Sequence, residues 1–226
     1  MDTDELIEHL AETREPVRPL PRPWIRTAIW LALSAPYVAA VVLAMPPRAD
    51  LAAKLGDPRF LLEEIAAFLT GITAATAALA TTIPGFDRRI VLLPVLPLAI
   101  WVGSLGQGCL QDWIELGPDG LSLRPDWICF PAVVLVSAAP AVVMAVMLRR
   151  GAPLTPHLSA ALGGLAAAGL GNFGLRLFHP QDASLMVLVW QLGTVFVLSA
   201  VAAWIGRYLL NWRSLVETSH RKASIP

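Results

Sequence analysis

The chain has 226 residues, of which 56% are hydrophobic and only 15% are charged. Charged residues make up roughly a quarter of a soluble domain, so this composition excludes an ordinary water-soluble protein. The 17 basic and 17 acidic side chains give a formal net charge of zero. Their positions along the chain are therefore more informative than their sum.

Residues 1–24 are predicted to form a polar tail that begins with a helix over about residues 3–13. Asp2 or Thr3 is suited to cap this helix, and acidic side chains in its first turn interact favourably with the helix dipole. The apolar face of the helix consists of Leu6, Ile7, Leu10 and Ala11, and the polar face of Asp4, Glu5, Glu8, His9 and Glu12. A helix lying on a membrane surface needs a basic polar face, whereas this one is acidic.

We expect this amphipathic helix to bind a protein partner. Isolated helices shorter than about 12 residues seldom persist in water, so a short helix with an apolar face is typical of segments that fold in a groove of another protein. The predicted partner-binding residues are Leu6, Ile7, Leu10, Asp4, Glu5 and Arg18. Residues 16–23 are rich in proline and are predicted to form an extended spacer between the helix and the bilayer. The alternative is a disordered leader without a partner.

Six apolar stretches follow, each close to the roughly 20 residues that a helix needs to cross about 30 Å of hydrocarbon. They are Ile25–Met45, Ile65–Pro84, Ile90–Leu110, Phe130–Leu148, Leu158–Leu175 and Ser184–Ile205. The sequence therefore predicts an all-α, polytopic membrane bundle with a six-helix transmembrane domain over residues 25–205 and a C-terminal tail over residues 206–226. We expect the first stretch to remain as an anchor, because the acidic residues before it are unlike a signal peptide.

The distribution of Lys and Arg predicts that both termini are cytoplasmic. With the N-terminus inside, most of the 17 basic residues fall on the cytoplasmic side, and those on the opposite side are Arg48, Lys54, Arg59, Arg124 and Arg176. Such an excess of positive charge marks the cytoplasmic loops of membrane proteins.

The fifth stretch contains two series of small residues at intervals of four: Gly163, Ala167 and Gly171, and Ala160, Gly164 and Ala168. Small residues allow close contact between transmembrane helices. The pattern predicts packing within one subunit, with self-association into a homo-oligomer as the alternative.

The two cysteines fall at the outer end of consecutive spans, with Cys109 closing the third and Cys129 opening the fourth. In an oxidising compartment they have the placement of a disulfide, which requires Cα atoms within about 4.4 to 6.8 Å. The alternative is a pair of thiols that senses oxidants or soft metal ions. His179 and Asp182 are weak candidates for completing a metal site, since the spacing matches no closed zinc pattern.

Other polar residues of the spans are expected to have structural roles. Glu63, Glu64 and Arg176 lie at the outer ends of their stretches, where ion pairing is expected. Asn172 and Gln191 lie deeper and are expected to bond neighbouring helices.

The sequence favours no enzyme and predicts no cofactor. It lacks a glycine-rich phosphate loop, a metalloprotease helix and a Cys-x-x-Cys pair. A small-solute transporter or channel remains an alternative because of the six spans, although their centres lack the ionisable groups of a proton-coupled transporter. A structural membrane protein with a constitutive disulfide is the other alternative.

Several motifs together resemble the NrsF family of six-span anti-sigma factors. They are Thr3-Asp4-Glu5-Leu6-Ile7, Arg18-Pro19-Leu20, Asp57-Pro58-Arg59-Phe60, Leu105-Gly106 through Cys109, Asp126-Trp127-Ile128-Cys129, Arg149-Arg150-Gly151-Ala152-Pro153, and Leu177-Phe178-His179-Pro180 with Asp182-Ala183-Ser184. The resemblance implies a protein of the bacterial inner membrane that holds an extracytoplasmic-function sigma factor inactive and regulates transcription under stress. It also implies that the N-terminal helix contacts the sigma factor, and that Cys109 and Cys129 receive a periplasmic signal from oxidants or heavy metals.

Overall fold

The structure, a computed structural model, describes residues 2–12, 20–46, 48–117, 129–151, 153, 155–179 and 187–209. This part of the chain is helical and contains no strand. Its helices are α1 (Thr3–Glu12), α2 (Pro23–Ala44), α3 (Leu51–Lys54), α4 (Pro58–Ala80), α5 (Val95–Leu116), α6 (Cys129–Arg149), α7 (Pro156–Leu175) and α8 (Gly193–Leu209). A 3₁₀ segment, Arg88–Leu92, precedes α5, and a π-helical segment, Val187–Leu192, precedes α8.

Six helical segments are long and apolar enough to cross a bilayer, which confirms the predicted fold class. They are Pro23–Ala44, Pro58–Ala80, Arg88–Glu115, Phe130–Arg149, Pro156–Leu175 and Leu188–Gly206. The tail helix α1 is described over Thr3–Glu12, within the predicted range of about residues 3–13.

The second spanning helix begins earlier than the apolar stretch predicted. Pro58 occupies the first turn of α4, and the side chain of Asp57 caps the helix by accepting a hydrogen bond from the backbone N–H of Arg59. Proline and a capping aspartate are typical of a helix start. The helix therefore includes Glu63 and Glu64, which a hydropathy criterion leaves outside the span.

Helix α7 lies at the centre of the bundle. It packs extensively against α4, α6 and α8, and most of its residues are buried. Two glycines make its closest contact with α4: a Cβ placed on Gly169 meets the backbone N of Gly71 at 3.1 Å. Both helices are rich in alanine and glycine, which allows their backbones to approach one another.

Both series of small residues in α7 contact other helices of the same chain. Gly163 and Gly171 face Met144 and Ser137 of α6, and Gly164 faces Ala202 of α8. The predicted packing within one subunit is therefore observed. The alternative, a homo-oligomer formed through this face, lacks the exposed surface that it requires.

Contacts between helix ends define two ends of the bundle. At the tail end, Arg26 at the start of α2 bonds the carbonyl of Leu79 near the end of α4 and that of Met147 near the end of α6. At the thiol end, Arg176 after α7 pairs with Glu63 in the first turns of α4. Cys109, in the last turns of α5, lies at the thiol end, as does the start of α6 at Cys129.

Candidate functional site

The tail helix α1 is capped and solvent-exposed. Asp2 accepts a hydrogen bond from the Thr3 N–H at 2.7 Å, and the Glu5 carboxylate accepts one from the Asp2 N–H at 3.4 Å, an arrangement similar to a capping box. Ile7, on the predicted apolar face, is 59% exposed. Within the described residues, α1 packs extensively against no other helix. The described side chains of its apolar face, Ile7 and Ala11, are thus exposed.

The predicted partner-binding residues lie on or near this helix. Asp4 and Glu5 occupy its first turn, as predicted. The backbones of Leu6 and Leu10 belong to the same helix, but their side chains lie outside the described residues, as does all of Arg18.

Arg26 connects three helices at the tail end. The side chain is 4% exposed, and it donates hydrogen bonds to Leu79 O at 3.2 Å, Thr82 Oγ1 at 2.7 Å and Met147 O at 2.9 Å. The two carbonyls belong to the last turns of α4 and α6, where backbone acceptors are unsatisfied and the helix dipole favours a cation. Arg26 therefore holds the base of the tail against both helix ends.

Cys109 has a free thiol and is partly buried. The disulfide that the sequence offered as one alternative is thus absent from this structure, and the side chain of Cys129 lies outside the described residues. Helix α5 packs mainly against α4, and α6 against α7 and α2. The two helices that bear the cysteines thus pack mainly on other helices and not on one another in the described part of the chain.

A buried ion cluster lies at the thiol end. Arg176 Nη1 lies 2.6 Å from Glu63 Oε2, and Arg176 Nε lies 3.1 Å from Glu64 Oε1. Arg59 Nε, one turn before Glu63, lies 3.1 Å from its Oε1. Glu63, Glu64 and Arg176 are each 4% exposed. The predicted structural pairing of these residues is confirmed.

Glu64 is the less satisfied of the two carboxylates. Its Oε1 is close to Arg176 Nε, but the N–H does not point at the oxygen, and neither carboxylate oxygen has a hydrogen bond within the described residues. Distance alone does not make a hydrogen bond. Asn172, which is fully buried, likewise has no hydrogen bond from its side-chain amide in this part of the chain, so the expected bond to a neighbouring helix is not observed. The side chain of Gln191 is not described.

The aromatic ring of Phe60 packs against two arginines at the cluster. The guanidinium carbons of Arg176 and Arg48 lie 4.9 Å and 5.7 Å from the centre of its ring, within the range of cation–π attraction. Arg48 also donates two hydrogen bonds to the Asp50 carboxylate, one of 2.7 Å from Nε and one of 2.8 Å from Nη2. These bonds lower the pKa of the Asp50 carboxyl to about 2. The pair keeps the loop before α3 attached to the cluster.

The cluster extends to the helix that bears the thiol. Arg59 Nη1 donates to Gln111 Oε1 at 3.2 Å, which joins α4 to α5 two residues after Cys109. Cys109 lies within electrostatic range of Asp112, Arg59 and Glu63. A polar cleft of about 200 Å³ opens here, lined by Lys54, Asp57, Arg59, Phe60, Glu63, Asp112 and Arg176. Gln111 thus connects the part of α5 that bears Cys109 to Arg59 of α4.

The weak metal candidates do not come together in the described residues. His179 is partly buried just after α7, and Asp182 lies outside the residues described. No group of three or more His, Cys, Asp or Glu that could hold a metal ion occurs among the residues that were described.

Sequence reasoning missed Arg26 and the contact between Arg59 and Gln111. An arginine at the second residue of an apolar stretch was a signal for Arg26, although it was counted only as a positive charge of the cytoplasmic side. For Arg59, the signal was its i,i+4 spacing from Glu63, which becomes visible once α4 is extended to Pro58.

The comparisons with known proteins bear on this whole arrangement of tail, bundle and thiol end. The sequence matches the family described as NrsF, negative regulator of sigma F, over residues 10–212. The chain belongs to the NrsF family. Membership makes it a negative regulator of a sigma factor, and a sigma factor its partner. No curated protein and no solved structure matches the chain. The NrsF match begins near the end of α1, so the amphipathic pattern of that helix is an observation independent of the match.

Proposed function

We propose that this NrsF protein is a membrane-bound anti-sigma factor that sequesters an extracytoplasmic-function sigma factor through α1. The observation that supports this most directly is a capped amphipathic helix, exposed at the tail end of a six-span bundle of a sigma-regulating family. The protein acts as a regulator and not as an enzyme.

The binding energy comes from the apolar face of α1. Burial of Leu6, Ile7 and Leu10 contributes roughly 5 to 9 kcal/mol before the helix is ordered, and ordering removes much of this gain. Further contacts from the spacer around Arg18 and from the loops at the tail end supply the rest. The acidic side chains, including Asp4 and Glu5, complement a basic, DNA-binding partner and steer its approach.

The compartments follow from the distribution of basic residues. On the predicted topology twelve of the 17 basic residues fall on the side of the tail, among them Arg26, Arg88, Arg89, Arg149 and Arg150, and five fall on the side of the thiols. By the positive-inside rule the tail end faces the cytoplasm, where a sigma factor is found. The protein is then a multi-pass protein of the bacterial inner membrane, with Cys109 and Cys129 in the periplasm.

The signal is a change at this cysteine pair. In the redox form of the signal, an external oxidant takes two electrons and two protons from the thiols of Cys109 and Cys129, and a disulfide bond forms between the two sulfur atoms. In the heavy-metal form, both thiolates bind one soft ion. Either event draws the end of α5 toward the start of α6, and Gln111 carries the movement to Arg59 on α4. The far end of α4 contacts Arg26, at the base of the tail.

Such coupling regulates transcription only if the two states differ in their affinity for the sigma factor. The reduced, metal-free state holds the sigma factor, and the oxidised or metal-bound state releases it.

A matched pair of single substitutions tests the role of α1. Leu10→Asp and His9→Asp introduce the same carboxylate at adjacent positions, the first on the apolar face and the second on the polar face. We expect Leu10→Asp to weaken sigma binding by about 10-fold or more, and Leu6→Asp combined with it by about 100-fold or more, because each buried leucine is worth roughly 1.5 to 3 kcal/mol. His9→Asp changes the affinity by less than about fivefold.

The measurement is binding of the purified sigma factor to the full-length protein in nanodiscs, with membrane insertion checked by fractionation. Equal binding by the parent, the Leu10→Asp variant and the double variant would refute the proposal.

A further inference from the structure

An uncovered groove runs between α2 and α6 at the tail end of the bundle. Its volume is about 400 Å³. One wall is the face of α2 that bears Arg26, Ile29 and Leu33, and the other is the face of α6 that bears Val142, Val146 and Arg150. These residues are spaced by three or four positions, so each set lies along one side of its helix.

The groove is amphipathic along its length. Its two arginines come from the helix ends, and its apolar residues lie one and two turns deeper in each helix. Ile29, Leu33, Val142 and Val146 are between 45% and 62% exposed, so the protein leaves this apolar surface uncovered. The order of charge and apolar surface matches a molecule with an anionic head and a hydrocarbon chain.

Arg26 supplies the second, independent observation. It is 96% buried, and its acceptors, two carbonyls and one hydroxyl, are all neutral. A guanidinium has five N–H donors, of which these bonds use three. No carboxylate among the described residues forms an ion pair with it. The two helix C-termini supply only partial negative charge, so an anion in the groove would give the buried guanidinium the full counter-charge that it lacks.

We propose that this groove binds an anionic phospholipid, with its phosphate at Arg26 and Arg150 and one acyl chain along the faces of α2 and α6. A small soluble anion would satisfy the arginines but leave the apolar walls bare. The lipid also contacts Leu20 and Pro21, where the spacer enters the bundle. This site goes beyond the regulation of a sigma factor and does not depend on it.

Arg149 and Arg150 provide the matched test. Both are exposed and adjacent, but only Arg150 lines the groove. The delipidated full-length protein is titrated with phosphatidylglycerol or phosphatidylcholine of identical chains, and binding is followed by native mass spectrometry. We expect tighter binding of phosphatidylglycerol, weakened about fivefold by Arg150→Gln and unchanged by Arg149→Gln. Val142→Trp, which fills the groove, should abolish the preference, whereas Val134→Trp in the other half of α6 should retain it.

Equal binding of the two lipids, or equal effects of Arg149→Gln and Arg150→Gln, would overturn the proposal. Inorganic phosphate that binds as tightly as phosphatidylglycerol in the same titration would also overturn it, since the apolar walls would then contribute nothing to binding.

Discussion

The single guanidinium of Arg176 forms ion pairs with two buried carboxylates. Its hydrogen bond to Glu63, its ion pair with Glu64 and its stacking on Phe60 all occur in a region nearly closed to water. In such surroundings the loss of one partner leaves the others as uncompensated charges. Arg176 therefore holds the start of α4 against the end of α7.

Arg176→Met should lower the free energy of unfolding by about 3 to 5 kcal/mol, because Glu64 is then buried without a cation. Unfolding of the purified protein in mixed micelles measures the loss. Arg59→Met is the control: the Arg59 side chain is 36% exposed, and such a pair is worth at most about 1 kcal/mol. Adding Glu64→Gln to Arg176→Met should recover part of the loss. Equal losses for the two arginines would contradict this account of the cluster.

Helices α4 and α7 make close backbone contact at two glycines. A Cβ on Gly169 lies 3.1 Å from Gly71 N and 3.2 Å from Gly71 Cα, both of which are backbone atoms. Backbone atoms cannot rotate out of the way as a long side chain can, so the helices must separate to admit a methyl group.

Gly169→Ala should therefore destabilise the bundle by roughly 1 to 3 kcal/mol. Gly103→Ala on α5 is the matched control, because a Cβ there meets nothing within 4 Å; we expect a change within about 0.5 kcal/mol. The same micelle assay compares the two variants. A neutral Gly169→Ala would show that the two helices do not approach as closely as described.

The elements that sequence predicted well are those with a strong local signal. Hydropathy located all six spans, and the spacing of polar and apolar residues predicted the helix that is described over Thr3–Glu12. The start of α4 was missed because Glu63 and Glu64 are polar in sequence, and only their pairing with an arginine more than a hundred residues away makes them part of a buried helix. Long-range neutralisation of this kind has no local signature.

At the scale of the whole molecule, the sequence predicted a partner-binding tail and a pair of thiols at opposite ends of the spans, but not which helices become neighbours. The NrsF resemblance, confirmed by the match over residues 10–212, identified the sigma-regulating role. It did not reveal that α5 packs on α4, that Arg59 bonds Gln111 between these helices, or that Arg26 bonds the ends of α4 and α6. These contacts depend on which helices become neighbours, which single-sequence patterns leave undetermined.

The proposed signalling route predicts the behaviour of a variant without thiols. In membranes treated with a thiol oxidant, the parent should lose sigma affinity by roughly 5- to 150-fold, the usual range of coupling between two sites. Cys109→Ser with Cys129→Ser should bind the sigma factor as the parent does under reducing conditions and should not respond to the oxidant. Sigma binding to washed membranes measures both. An oxidant response of equal size in the variant would show that the signal enters elsewhere.

The account depends above all on the two ends of the bundle lying in different compartments. Intact cells expressing the full-length protein are treated with a membrane-impermeant maleimide. We expect labelling of the parent's native cysteines from outside. We expect no labelling of a Thr3→Cys variant that lacks both native cysteines until the cells are opened. Labelling of position 3 in intact cells, under conditions that also label Cys109, would place the tail and the thiols on the same side and contradict the account.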